Sequence, residues 1–214
     1  MAFGPLIRRF LGPHLAPRVG KYYRAIYVDL AKVATALAAV IPRDAHLLDV
    51  GGGDGQPLNH LLAVRQDLTI TTLDPASVVG QWIDPRYQDR VKCLPRTSLS
   101  EFVASARVDP DVILIADVMH HIPKSARHEF LDSVAILLDR VPGLRIIVKD
   151  VEPGHWRAQL GLWSDRYVTG DRNVSLISRN DVTRLFEDVL GPLHSDETDL
   201  FKNDGPNYAI VFRR

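Results

Sequence analysis

Apolar residues along this chain recur at two spacings. Short runs of mainly apolar residues appear near 45–50, 68–73, 91–94, 111–116 and 144–149. Runs of that length, bounded by turn residues, predict buried strands. Between them the spacing changes to three and four. Ile26, Leu30, Val33, Leu37 and Ile41 form one stripe, ended by Pro42. Leu58, Leu61 and Leu62 form a second over Gln56–Ala63, where Pro57 suits a first helical turn. Phe130, Leu131, Val134, Leu137 and Leu138 follow Pro123, and Val182, Leu185, Phe186 and Val189 lie between Ser178 and Gly191-Pro192. These stripes predict amphipathic helices, the last with a serine cap and a glycine stop. The final pair, about Leu193–Leu200 and Tyr208–Arg213, flanks Asn203-Asp204-Gly205-Pro206 and predicts an antiparallel hairpin. Strand–helix alternation predicts an α/β sheet with helices on both faces, made mixed by that hairpin. No repeat or linker divides the chain. One domain over 1–214 is expected, with a helical cap at 1–42, broken early by Pro5, Pro13 and Pro17, over a core at 45–214.

The stretch Leu47–Gln56, LLDVGGGDGQ, carries the first chemistry. A strand that runs into an acid and then four glycines is how an open α/β sheet builds the floor of a ligand cleft. The dinucleotide pattern G-x-G-x-x-G fails here, because its third glycine would fall on Gln56 or Leu58. No Gly-Lys-Ser/Thr occurs, so a P-loop is excluded too. Asp49 and Asp54 flank the turn, whereas phosphate sites favour bare N–H groups and positive charge. Such a loop suits a ligand with cationic groups and no phosphate. S-adenosylmethionine, with its sulfonium, ammonium and ribose, has that chemistry. A plain glycine-rich connector is the competing reading.

Asp49-x-Gly51-x-Gly53-x-Gly55 resembles the first motif of the class I S-adenosylmethionine-dependent methyltransferases. The resemblance covers about 45–214 and implies a Rossmann-like seven-stranded mixed sheet with Asp49, Gly51, Gly53 and Gly55 at the cofactor. Asp74 ends the second strand 25 positions after Asp49, where a carboxylate can accept ribose hydroxyls; a simple Asp74-Pro75 turn is the alternative. Relatives often place an acid after the third strand, against the adenine amine. Here Pro95, Arg96, Thr97 and Ser98 stand there, so backbone or hydroxyl groups of Thr97 and Ser98 are the substitutes. Asp117, ending the fourth strand, completes the cofactor set.

Asp117-Val118-Met119-His120-His121-Ile122 also names the expected base. Methyl transfer to an alcohol requires a proton acceptor, which histidine supplies, whereas a neutral amine attacks unaided. The pair resembles the His-His-Ile/Val signature of relatives with small-molecule acceptors. The second histidine is the better match to the wider pattern of those relatives, so His121 is the first choice and His120 the second. Extended neighbours face opposite sides, so both need not face the substrate; a structural histidine at a strand end is the bland alternative. Tyr22, Tyr23 and Arg24 in the cap, and Asp150, Glu152, His155 and Trp156 after the fifth strand, are candidate substrate contacts. The aromatic insert at 153–177 suits either a lid or a packed surface helix. Asp117, Asp150 and Glu152 could hold magnesium, but the family's second ligand pair is not matched and a metal is not favoured. Val148-Lys149-Asp150 and Asp165-Arg166-Tyr167 resemble enzymes of glycan and natural-product pathways, which makes a sugar or glycoside hydroxyl the leading acceptor.

Charge narrows the acceptor further. The 26 basic residues balance the 26 acidic ones, so no basic stripe invites nucleic acid. The segment after strand four also lacks the Asn/Asp-Pro-Pro-Tyr/Phe typical of base-amine methylation. The most apolar window, Val33–Ile41, is about half of what a bilayer span requires. The N-terminus lacks the apolar region of a signal peptide. The single cysteine, Cys93, cannot form an internal disulfide and reads as a buried strand residue. The expectation is a cytoplasmic S-adenosylmethionine-dependent O-methyltransferase of a small hydroxylated molecule, with a homodimer compatible. An N- or C-methyltransferase, a non-catalytic S-adenosylmethionine-binding protein and a nucleotide-dependent oxidoreductase are the rivals.

Overall fold

The computed structural model describes residues 29–105, 108–154, 174–196 and 207–214. Tyr22, Tyr23, Arg24, Ile26, His155 and Trp156 lie outside these residues, as do most of the 153–177 insert and the turn at 203–206.

Seven strands form one sheet: β1 (His46–Val50), β2 (Thr69–Asp74), β3 (Val91–Pro95), β4 (Val112–Ala116), β5 (Arg145–Val151), β6 (His194–Asp196) and β7 (Asn207–Arg213). Their order is β3-β2-β1-β4-β5-β7-β6. The first five pair in parallel, and β7 runs antiparallel between β5 and β6. The order reverses at β1 and β4, and at such a switch point the strand ends splay to leave a crevice. The glycine loop after β1 and the histidine pair after β4 therefore both lie at the carboxyl ends of these two central, parallel strands.

Two apolar layers cover the sheet. On one face α1 (Leu30–Val40) and α2 (Gln56–Val64) pack on Leu47, Ile70, Leu114, Ile147 and Ala209. On the other, α3 (Leu99–Ser105), α4 (Arg127–Arg140) and α5 (Arg179–Leu190) pack on Leu48, Ile113, Ile146, Val148 and Tyr208. Neighbouring residues on a strand point to opposite faces, which explains why Leu47 and Leu48, or Ile146 and Ile147, divide between the layers.

Element starts and ends follow local chemistry. Asp29 caps α1, its carboxylate accepting from the amides of Ala31 and Lys32 at 3.1 and 3.3 Å. The continuous stripe from Ile26 to Ile41 thus carries a helix start inside it. Ser178 caps α5 as expected, accepting from the amide of Asp181. Pro123 precedes a short 3-10 turn at Lys124–Ala126, and α4 begins only at Arg127. One expectation is corrected. Cys93 is exposed, not buried, because β3 is the outer strand of the sheet and its neighbours Lys92 and Pro95 are exposed with it.

Candidate active site

The loop after β1 is built around Asp49. Its side chain is 5% exposed and accepts the Thr72 hydroxyl at 2.8 Å. Burial pushes its carboxyl up to about 6, with the Thr72 hydrogen bond pulling down and the Asp74 charge adding a smaller upward push. Gly52 lies directly over this bond; a Cβ there would stand 1.7 Å from Thr72 Oγ1. Gly53 has the opposite environment. Its φ is +52°, and a Cβ would meet only the Gly51 carbonyl, at 4.0 Å, so the loop presents bare backbone to open space. Glycine is needed at one position for packing and at the other for a left-handed turn beneath an open cleft.

Asp74 holds that turn in place. Its carboxylate accepts from the Gly53 amide at 3.0 Å and from the Ala76 amide at 2.8 Å. Each oxygen keeps a second lone pair, so the clasp leaves acceptor capacity for a ribose. Asp54 accepts from the Gln56 amide at 3.1 Å as α2 begins, so this acid serves the helix start. Thr97 and Ser98 are engaged locally as well. The Thr97 hydroxyl donates to the Pro95 carbonyl, while Ser98 and Glu101 form a reciprocal capping box at the start of α3. An acid does follow β3, at Glu101, but it is directed back at Ser98. The backbone amides of Arg96, Thr97 and Ser98 are engaged locally too, donating to the Ala76 and Asp74 carbonyls and to the Glu101 carboxylate.

After β4 the chain does not stay extended. Asp117 has φ +58°, and the His121 amide donates to the Val118 carbonyl at 2.9 Å, closing a turn. The expectation that His120 and His121 point to opposite sides of a strand is corrected, because the turn brings their ring centroids within 4.2 Å. His120 is buried. Its Nδ1 lies 2.6 Å from Asp150 Oδ1, and Asp150 is fully buried on the α4/α5 face. An ionised carboxylate only accepts, so this bond puts the proton on Nδ1 and the imidazole lone pair on Nε2. His121 is half-buried beside it.

Arg127 braces the turn from below. Its guanidinium donates to the Ile122 carbonyl at 3.1 Å and to the Ser175 carbonyl at 2.8 Å, while the Ser175 amide donates to His120. Burial pulls the Arg127 guanidinium below its ordinary range, with the Asp150 charge opposing. Nothing in the local sequence singles out Arg127 or Thr72. Their partners are 48 and 23 positions away.

On the opposite face, Lys149 reaches across from β5 to Asp117, with Nζ 2.6 and 2.8 Å from the two carboxylate oxygens. Asp117, His120 and Asp150 each offer a ligand atom within 4.8 Å of the others. Glu152 is not in that group; its carboxylate accepts from the Arg179 amide at the start of α5. Of the three acids weighed as a possible magnesium site, only Asp117 and Asp150 fall in this cluster, which joins two carboxylates to an imidazole, with a lysine ammonium on one of them. Magnesium favours an all-oxygen shell, so this donor set fits it poorly.

Residues 22–189 match the methyltransferase domain family. Among solved structures, the 1,6-didemethyltoxoflavin-N1-methyltransferase of Burkholderia thailandensis, with bound 1,6-didemethyltoxoflavin and S-adenosylhomocysteine, is 18% identical, with a TM-score of 0.64 over 92% of this chain and 83% of its own. Human N-acetylserotonin methyltransferase in complex with S-adenosylmethionine is 17% identical, with a TM-score of 0.63 over 87% of this chain and 52% of its own. The mitomycin 7-O-methyltransferase MmcR is 22% identical, with a TM-score of 0.61 over 86% and 53%. The chain thus spans about half the length of the last two. No curated protein matches it.

Proposed function

The chain belongs to the methyltransferase domain family, and from that premise we propose that it methylates a small-molecule hydroxyl using S-adenosylmethionine. The observation that carries the cofactor assignment is the acid-flanked glycine loop. A buried carboxylate at Asp49, bare backbone at Gly53 and acceptor capacity at Asp74 fit a cationic nucleoside and offer nothing to a phosphate. Bound S-adenosylmethionine would supply a methyl group activated by the sulfonium.

The protein's own contribution is positioning and proton handling. Asp49, Gly51, Gly53 and Gly55 shape the floor under the cofactor, and Asp74 receives the ribose. His120 takes the acceptor's hydroxyl proton at Nε2, and Asp150 holds the ring by Nδ1 and stabilises the imidazolium that forms. This moves the base from His121 to His120, on the strength of the carboxylate partner and the burial. His121 then flanks the acceptor. A sugar, glycoside or natural-product hydroxyl is the acceptor class; the mitomycin 7-O-methyltransferase supports oxygen, and the toxoflavin enzyme keeps nitrogen as the second reading.

Calorimetry with S-adenosylmethionine, NAD and NADP, followed by mass spectrometry of products from a panel of sugars, phenols and polyketides, tests the reading. Binding of the first alone and a mass gain of one methylene on a hydroxylated acceptor are expected. Binding of NAD with none of S-adenosylmethionine would overturn it. Activity that survives a chelator is also expected, and its loss would restore a metal.

A further inference from the structure

Arg127 is a buried charge with no countercharge in contact. It opens α4 at 5% exposure, and among the described residues no carboxylate pairs with it. Its partners are the carbonyls of Ile122 and Ser175. Taking a guanidinium out of water is costly, and an apolar side chain could fill the same volume without that cost. Both carbonyls, however, lead to His120. Ile122 lies two residues past it on the same turn, and the Ser175 amide donates to the His120 carbonyl at 2.8 Å. Asp150 grips His120 from the other side. One carboxylate oxygen lies 2.6 Å from ring Nδ1, and the other accepts the His120 amide at 3.3 Å. Asp150 is itself steadied on β5, where Oδ1 also accepts the Val151 amide at 2.8 Å. The carboxylate can therefore aim the ring only while the His120 backbone keeps its place. That place is set through Ser175 and Ile122, and Arg127 holds both.

We propose that Arg127 is a positioning residue for the proton transfer, fixing the His120 backbone so that Nε2 meets the acceptor's hydroxyl. It acts through His120 and takes no proton itself. The guanidinium suits this task because its planar fork of donors reaches two carbonyls at once, on segments far apart in sequence. Without it the Ile122 and Ser175 carbonyls lose their shared donor, and the His120 ring is left to Asp150 alone. Geometry at a reacting group is exacting: a displacement of about 1 Å can cost about a hundredfold in rate. The assignment rests on His120 as the base, the reading given above. It adds a residue that neither the glycine motif nor the histidine pair reveals.

Two measurements separate positioning from mere support. The first needs no acceptor. In the wild type the His120 Nδ1 proton, held by Asp150, should give a downfield NMR signal that disappears in His120→Gln. In Arg127→Met its exchange with water is expected to rise about tenfold or more, because the ring opens more readily. In Arg65→Ala, a substitution away from the histidine turn, the change should stay under about threefold. The second measurement is single-turnover kinetics with the most active acceptor from the panel of sugars, phenols and polyketides. Arg127→Met is expected to slow transfer about thirtyfold or more, with acceptor KM and S-adenosylmethionine affinity changed less than about threefold. In a His120→Ala background the same substitution should cost less than about threefold, since no base remains to be misplaced. Arg127→Lys keeps the charge but not the fork, so it should recover part of the rate and carries the same cycle if Arg127→Met does not fold. Unchanged proton exchange, an equal rise in Arg65→Ala, or equal slowing in both backgrounds would overturn the proposal and leave Arg127 a structural residue. If the wild type shows no such proton, or His120→Ala keeps the wild-type rate, the base reading itself has failed, and this assignment with it.

Discussion

At the scale of single residues, Asp49 makes the most measurable prediction. Burial lifts its carboxyl to about 6, above the roughly 3.9 of an unfolded chain. The native state therefore binds this proton more tightly. Its stabilising contribution is complete below pH 4 and is lost as pH rises through about 6. By pH 7.5 the ionised, buried carboxylate costs about 3 kcal/mol relative to the protonated form. Asp49→Asn keeps an acceptor for the Thr72 hydroxyl and is expected to raise the unfolding free energy of the ligand-free protein by about 2–3 kcal/mol at pH 7.5. It should also flatten the slope between pH 4 and 6.5. Urea titrations across that range check this, and parallel pH profiles for the two proteins would refute it. The same substitution should weaken S-adenosylmethionine binding, because a cationic ligand favours the carboxylate. The histidines give a second test. His120→Ala is expected to slow turnover about a hundredfold or more with S-adenosylmethionine affinity little changed. His121→Ala should cost less than about tenfold, since its ring flanks and does not accept the proton. Single-turnover rates decide, and the reverse ranking would return the base to His121.

At the scale of elements, long-range side chains stitch helices to one another. Arg65, just past α2, donates to the carbonyls of Ala38, Ile41 and Pro42 and pairs with Asp67 at 2.7 Å, so it caps the end of α1 from a distance. The Asp67 carboxyl is held well below its usual range, first by that guanidinium and then by the Asp44 amide. Arg65→Ala leaves those helix-end carbonyls without their charged donor and should cost about 2–3 kcal/mol in urea unfolding. A loss under about 0.5 kcal/mol would mean water replaces the guanidinium. Tyr208 does similar work on the other face. Its hydroxyl donates to the Ile177 carbonyl at 3.0 Å, fixing the segment that enters α5, and burial pushes its phenol far up. Tyr208→Phe is expected to cost about 1–2 kcal/mol, the usual loss of a buried hydrogen bond that leaves a carbonyl unpaired.

At the scale of the whole molecule, α1 packs with α2 on one face and borders a small cavity that Asp49 and Lys149 also line, while the His120–Asp150 pair belongs to the other face. Ligand binding should therefore couple to global stability. At a hundred times its dissociation constant, S-adenosylmethionine should add about 2.7 kcal/mol. For a chain of this size that corresponds to a rise of about 5–10 °C in the melting temperature. Calorimetric melts with and without ligand measure it; no shift with S-adenosylmethionine would contradict the cofactor assignment. No helix among the described residues is long and apolar enough to cross a membrane.

The sequence determined the elements, their order and the ligand's chemistry, because these are written in local patterns. Continuous apolar runs and spacings of three and four place strands and helices, and Asp49 to Gly55 lie within one loop. Even the antiparallel strand was legible, from the hairpin residues before Tyr208. Departures occurred where position in the sheet decides: Cys93 lies in a mainly apolar run yet is exposed, because β3 has a partner on one side only. What only the tertiary structure decided is which charges meet. Asp150 chooses His120 over His121 because the chain turns after Asp117, and Lys149 finds Asp117 across a strand pair, 32 positions away. Neighbours along a strand face opposite layers, so Lys149 and Asp150, adjacent in sequence, serve different sides of the sheet. Sequence spacing fixes alternation, but only the packed sheet fixes what each face looks at.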